Sequence, residues 1–310
     1  AEIERRRRGL GRIFVVFIPG DHHGLRRELP EYEAAIDPAH RHGRIRNLLL
    51  PVLSLLPSVQ GHCVCATDAD AAAVLPADPA RLYPADYRLH LPRHPAKSDI
   101  YVHARRGTPI WPLLTATEHA RRAVASYLAG VAGSRRPVVI TLRDNPTSPS
   151  RNSRMESWAA FAAGLDRAVF APIFVYDAEA PFDRRSPAFA GETFCEAATW
   201  NIEMRMALYE AAWLNVSIMQ GAMELCWYNE RVRYLVFLEV GLSATSRETS
   251  IADGGHRIGA DLDFARPFQH IVWEGDSLDA IRREFAAMAG RIEAAEAGAQ
   301  SLAPGPGTEI

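Results

Sequence analysis

Three places in the 310-residue chain gather side chains able to do chemistry. Arg143 and Asp144 follow the apolar run Val138–Leu142, and Arg151, Asn152 and Ser153 come shortly after. Guanidinium groups fork onto phosphate oxygens and a helix start supplies unpaired amides, so this segment suits a diphosphate. The plain alternative pairs its arginines with Asp144, Asp177 and Glu179 as surface ion pairs. The second place is Met219-Gln220-Gly221-Ala222, between an apolar run and another expected helix start. Glycine lets a backbone approach a ligand closely, although Gly221 equally suits a tight turn alone. Glu224 beyond it fits a hydroxyl acceptor for ribose or sugar, or a first-turn carboxylate complementing the helix dipole. The third place is the loop Asp21, His22, His23, where a carboxylate or imidazole suits a general base on an acceptor hydroxyl. Its plain alternative is an exposed polar loop.

Other chemistries lack their residues. His40-x-His42 has no carboxylate or cysteine completing a recognised metal spacing, and Cys63, Cys65, Cys195 and Cys226 form no C-x-x-C. Asp177-x-Glu179 ends a strand but is not the D-x-D of many metal-dependent sugar transferases, so no metal is expected. No G-x-S-x-G elbow, Walker A loop or G-x-G-x-x-G fingerprint occurs, which removes hydrolase, kinase and ordinary dehydrogenase readings. A net charge of -2 offers no basic field for nucleic acid. The run Arg5–Arg8 reads as an exposed N-terminal segment, with contact to an anionic membrane surface as the second reading. No apolar stretch reaches the ~20 residues of a membrane span, and no secretory signal is visible. Reduced cysteines point to the cytoplasm.

Strands alternating with helices must position these loops, which predicts an α/β fold with parallel sheets. Ile13–Ile18 reads as a strand buried on both faces, ending in the Asp21 loop, and His62–Ala66 as a second strand. A helix over Arg44–Leu56 should break or kink at Pro51. Strands are expected at Pro137–Leu142, Ala171–Tyr176, Leu214–Ile218, Arg233–Val240 and His270–Trp273. Helices are expected at Glu118–Val131, after a capping box Ser153–Glu156, over Ile202–Trp213, and after Leu278. Gly241–Gly259 reads as a loop and the last ten residues as a loose tail. The alternation divides the chain into two Rossmann-like lobes, 1–132 and 133–300, with a tail at 301–310. In such sheets ligands sit beyond the carboxyl ends of the strands.

Val138-VITLRD, Arg151-NSRMESWAAFAAGLD, Pro172-IFVYDAE and Ala207-LYEAAWLNVSIMQGAMELC together resemble the C-terminal half of bacterial GT-B-fold glycosyltransferase-like proteins. The likeness is to the superfamily of heptosyltransferases and O-fucosyltransferases. It implies two lobes facing a central cleft, with a nucleotide sugar as co-substrate on the second lobe and an acceptor on the first. It implicates Arg143, Arg151, Asn152 and the Gln220-Gly221-Ala222 turn in holding the diphosphate. It also implicates Asp21 or His22–His23 as base, with no obligatory cofactor. The chain departs from the resembled pattern in two ways. Met219-Gln220-Gly221-Ala222 stands where heptosyltransferases tend to show aspartate-threonine-glycine-proline, and the one lysine, Lys97, lies in the first half. Alternatives on the same fold are a nucleotide-sugar epimerase and a non-catalytic sugar- or nucleotide-binding protein.

Overall fold

The computed structural model describes residues 1–22, 24–25, 27–28, 30–91, 98–145, 148–177, 186–243 and 246–301. His23, Lys97, Glu179 and the tail from 302 onward lie outside the described residues.

The second half is built on five parallel strands: β3 (Arg136–Leu142), β4 (Phe170–Tyr176), β5 (Leu214–Ile218), β6 (Tyr234–Phe237) and β7 (Gln269–Val272). They are short runs rich in β-branched and aromatic residues, suited to burial on both faces. Val138, Ile140, Leu142, Val216 and Leu235 pack on one face against the helices Met155–Ala163 and Leu278–Ser301. Val139, Val175, Tyr234 and Val236 point to the other face, towards the helices Glu118–Val131 and Ile202–Ala211. The spatial order is β4-β3-β5-β6-β7. The chain leaves β3 towards one edge and returns across it to β5, so the strand order reverses between β3 and β5. The carboxyl ends of those two strands flank the crevice that such a reversal creates.

The first half is slighter. Among the described residues its sheet is two parallel strands, β1 (Ile13–Phe17) and β2 (Val59–Val64). The expectation that β1 is buried on both faces does not hold, because Phe14 stands 58% exposed. Leu55, Tyr101, Ile110 and Leu114 join the core on one face of the five-stranded sheet, so the front of the molecule rests on the back. The helix expected to break or kink at Pro51 instead starts at Pro38, changes winding before the proline and stays α-helical across it at Leu50–Val52. Pro38–Arg44 is α-helical, Ile45–Leu49 widens into a π-turn closed by the Leu50 amide on the Ile45 carbonyl, and Leu53–Leu55 tightens to 3-10. Proline has no amide and crowds the preceding turn, and a π-turn absorbs both effects.

Three local expectations fail for identifiable reasons. Arg5–Arg8 is not a loose exposed run: it closes the helix Glu2–Arg7, with Arg5, Arg7 and Arg8 bound to Glu2 or Glu4 and Arg6 donating to the carbonyls of Ile110 and Trp111. Gly241–Gly259 contains a helix, Glu248–Asp253, around buried Ile251. The capping box at Ser153 does not form. The helix starts at Met155, and Asp276 takes one amide at its start: its Oδ2 accepts from the Arg154 amide at 2.8 Å and from the Trp158 ring Nε1 at 2.7 Å. No described helix is long and apolar enough to cross a membrane.

Candidate active site

Arg143 is the first residue past β3, and its position is fixed from both ends. Its amide donates to Ser153 Oγ at 2.9 Å, and the Ser153 amide donates back to its carbonyl at 3.0 Å. Its guanidinium donates to Asn152 Oδ1 at 2.6 Å and to the Ser148 carbonyl at 3.2 Å. Asn152 Oδ1 also accepts from the Asn145 amide at 2.9 Å, so one side-chain amide organises the whole loop. Ser153 and Asn152 thus shape the loop without lining the cleft.

Arg151 ends the 3-10 turn Pro149–Arg151, and its Nη2 reaches the Met219 carbonyl at 3.4 Å. Arg205, on the helix Ile202–Ala211, donates through Nε to the Ala198 carbonyl at 2.7 Å and through Nη2 to the Tyr176 carbonyl at 2.6 Å. Arg143 is 7% exposed and Arg205 5%. None of these three arginines forms an ion pair with a carboxylate among the described residues. Burial, then the neighbouring Arg151 charge, pulls the Arg143 pKa below its ordinary value, with Asp177 and Asp144 opposing. Burial lowers that of Arg151 as well. Two half-desolvated cations repelling each other beside a cavity make a site that an anion would stabilise.

Two acceptor atoms complete this wall. Gln220, 6% exposed, donates through Nε2 to Ser217 Oγ at 2.7 Å and the Thr141 carbonyl at 3.2 Å, tying β5 to β3. Its Oε1 is buried without a hydrogen bond. Asp177, the first residue past β4, has a buried Oδ1 in the same condition. Burial pushes its carboxyl pKa up, with the Asp144 amide and then Arg143 and Arg205 pulling it back. A Cβ added at Gly221 would meet nothing within 4 Å, so the backbone there faces open space.

Arg143, Arg151, Arg205, Asp177, Gln220, Gly221, Ala222 and Glu224 all line one cleft of about 890 Å³. The front of the molecule supplies the facing wall: Leu25, Glu28, Arg41, Arg44, and the apolar residues Ile45, Leu48, Leu49 and Val52. This volume is at the upper end for small-molecule sites. Five arginines stand against three carboxylates in the lining.

The loop after β1 behaves differently from its expectation. The Gly20↔Gly24 and His22↔Leu25 bridges fold it into a tight hairpin, leaving the Asp21 side chain 76% exposed and near Arg27. His22 Nε2 lies 3.5 Å from Glu33. Neither Asp21 nor His22 lines the cleft, and His23 is outside the described residues. The front-wall carboxylate is instead Glu28, with Arg41 Nη2 at 3.9 Å. Sequence reasoning missed Glu28, Arg41 and Arg205. The signal for Arg205 was a charged residue between Met204 and the apolar run Met206–Tyr209. Among the described residues no group of three or more His, Cys, Asp or Glu side chains is placed to hold a metal.

No family model and no curated protein matches the sequence. The fold does match solved structures. ADP-heptose LPS heptosyltransferase II from E. coli superposes with a TM-score of 0.50 at 11% identity, over 90% of this chain and 99% of that one. A glycosyl transferase family 9 protein from Veillonella parvula aligns with a TM-score of 0.48 at 10% identity, over 89% of each chain. The chain therefore has the fold of a GT-B-like glycosyltransferase, with the cleft between its front and back walls as the candidate site.

Proposed function

We propose that the protein is a glycosyltransferase that binds a nucleoside diphosphate sugar against the back wall and moves the sugar to an acceptor hydroxyl. The observation that carries this is the set Arg143, Arg151 and Arg205: buried or half-buried cations with no carboxylate ion pair among the described residues, converging on the strand-order reversal. The name of the E. coli neighbour, which gives ADP-heptose as that protein's donor, supports a nucleoside diphosphate sugar.

In the proposed step the acceptor oxygen bonds to the anomeric carbon as the anomeric C–O bond to the diphosphate breaks. The nucleoside diphosphate leaves with the bonding pair, and the hydroxyl proton passes to a carboxylate. Glu28 is assigned that proton, since it is the carboxylate the front wall presents to the cleft. The arginines neutralise charge that grows on the leaving diphosphate, so the assigned mechanism needs no metal ion. Gln220, Gly221 and Ala222 border the phosphates, and Glu224 accepts from sugar or ribose hydroxyls.

The test is calorimetric titration with a panel of nucleoside diphosphates and their sugars. Arg143→Ala and Arg151→Ala each weaken binding about 10- to 100-fold, the loss of a hydrogen bond to a charged group. Glu28→Gln keeps donor affinity and lowers transfer about 10²- to 10⁴-fold. Undiminished affinity in both arginine variants overturns the donor site. Turnover in excess EDTA equal to that without it checks the metal-free step.

A further inference from the structure

Within the reading just given, we infer that the acceptor presents its hydroxyl on a hydrocarbon frame, alkyl or aryl, and not on a glycan. The two walls of the cleft are chemically unlike. The back wall carries cations with no carboxylate partner among the described residues, and hydrogen-bond acceptors; the front wall carries Ile45, Leu48, Leu49 and Val52, joined by Leu25 and Leu114. The first four fall at i, i+3, i+4 and i+7 through the π-turn, the spacing by which a helix normally packs on a core. Here that stripe lines open cavity, and Leu49 stays 53% exposed. Single exposed leucines are ordinary, but a four-residue stripe bordering a cavity is a patch awaiting cover.

The chemistry of the cover follows from what the stripe lacks. A glycan brings a hydroxyl on nearly every carbon, and each one pressed against aliphatic side chains gives up water with no partner in return. A hydrocarbon frame gains on the same surface. The polar side chains of this wall, Glu28, Arg41 and Arg44, are outnumbered by its six aliphatic ones, and Arg41 is engaged by Glu28 and Glu33, which lie 3.9 and 3.6 Å from it. The anionic donor is drawn to the opposite wall, so the stripe falls to the second substrate.

The test uses the full chain and n-alkyl β-D-glucosides from ethyl to octyl, with maltotriose as the glycan, in calorimetric titrations. Affinity is expected to rise with chain length by up to about fourfold per buried methylene, and maltotriose to bind more weakly than octyl glucoside. Leu49→Gln, at a position already half in solvent, is expected to keep the melting temperature and to weaken octyl glucoside about three- to tenfold. Its affinity for nucleoside diphosphates stays unchanged. Chain-length independence, or maltotriose binding the tighter, overturns the inference. So does a loss of adenosine or uridine affinity in Leu49→Gln, which makes the stripe a nucleobase wall. Nucleoside diphosphates that bind while the alkyl series does not leave the donor site standing and defeat this inference alone. An alkyl series that binds while no nucleotide does defeats the donor reading instead.

Discussion

Several arginines of the front and two of the cleft's back wall are held in opposite ways. In the front, Arg5, Arg7 and Arg8 lie against Glu2 or Glu4, and Arg41 lies between Glu28 and Glu33. In the back wall, Arg143 and Arg205 are gripped by neutral oxygens: an asparagine side chain and the carbonyls of Ser148, Ala198 and Tyr176. A carboxylate cancels the charge it orients, whereas a carbonyl orients the charge and leaves it standing. That distinction makes a local positive field inside a chain whose net charge is -2, and composition cannot register it.

The comparison can be broken most sharply at Asp276, which fixes the ground on which the back wall stands. Asp276→Ala strands Trp158 Nε1 in the core and leaves the Arg154 amide without its acceptor. We expect a loss of about 3 kcal/mol or more in urea unfolding at neutral pH. A smaller, pH-dependent effect weighs burial against the arginines at Asp177, whose native carboxyl pKa burial raises while the Asp144 amide, Arg143 and Arg205 pull it down. The sign follows from linkage: the stability its protonated form contributes is full below the ordinary carboxylate pKa of ~3.9 and is lost as pH rises through the native value. Asp177→Asn keeps that contribution at every pH, so its melting temperature should exceed the parent's near neutrality and converge with it in acid. A parent and variant with parallel profiles would show that burial does not outweigh the pull of the arginines on the Asp177 carboxylate. The smallest effect belongs to the front. Arg7→Ala removes an ion pair in which Arg7 is 58% exposed, and the urea midpoint should stay where the parent's lies.

The parts of this fold visible in the sequence are those where one physical cause acts alone. β3, β4 and β5 are apolar runs buried on both faces, and their pattern has few competing explanations. The loops that follow them hold Arg143, Arg151, Gln220 and Gly221, and all four meet in the cleft as their positions after strand ends imply. Legibility fails where two distant segments compete. Ser153 and Glu156 have the spacing of a capping box, but Asp276, far along the chain, takes the helix start, and Ser153 turns to the Arg143 amide. Asp21 and His22 have suitable chemistry, but the Gly20↔Gly24 and His22↔Leu25 bridges fold their loop so that neither lines the cleft, which residue types do not encode. Arg205 hides for the converse reason: its neighbours Met206, Leu208 and Tyr209 make the segment read as core, and only the carbonyls at two strand and helix ends explain the charge among them.

The π-turn at Ile45–Leu49 holds one more residue per turn than a regular helix requires. Deleting a single residue there would therefore let the backbone relax into ordinary helical winding instead of tearing it. The rest of the element would be turned about its axis by a fraction of one residue's angle and drawn in along it, shifting the side chains it presents to the space it borders. Changing which molecules this protein accepts along that flank would then take a shortening by one codon, with no new element to invent.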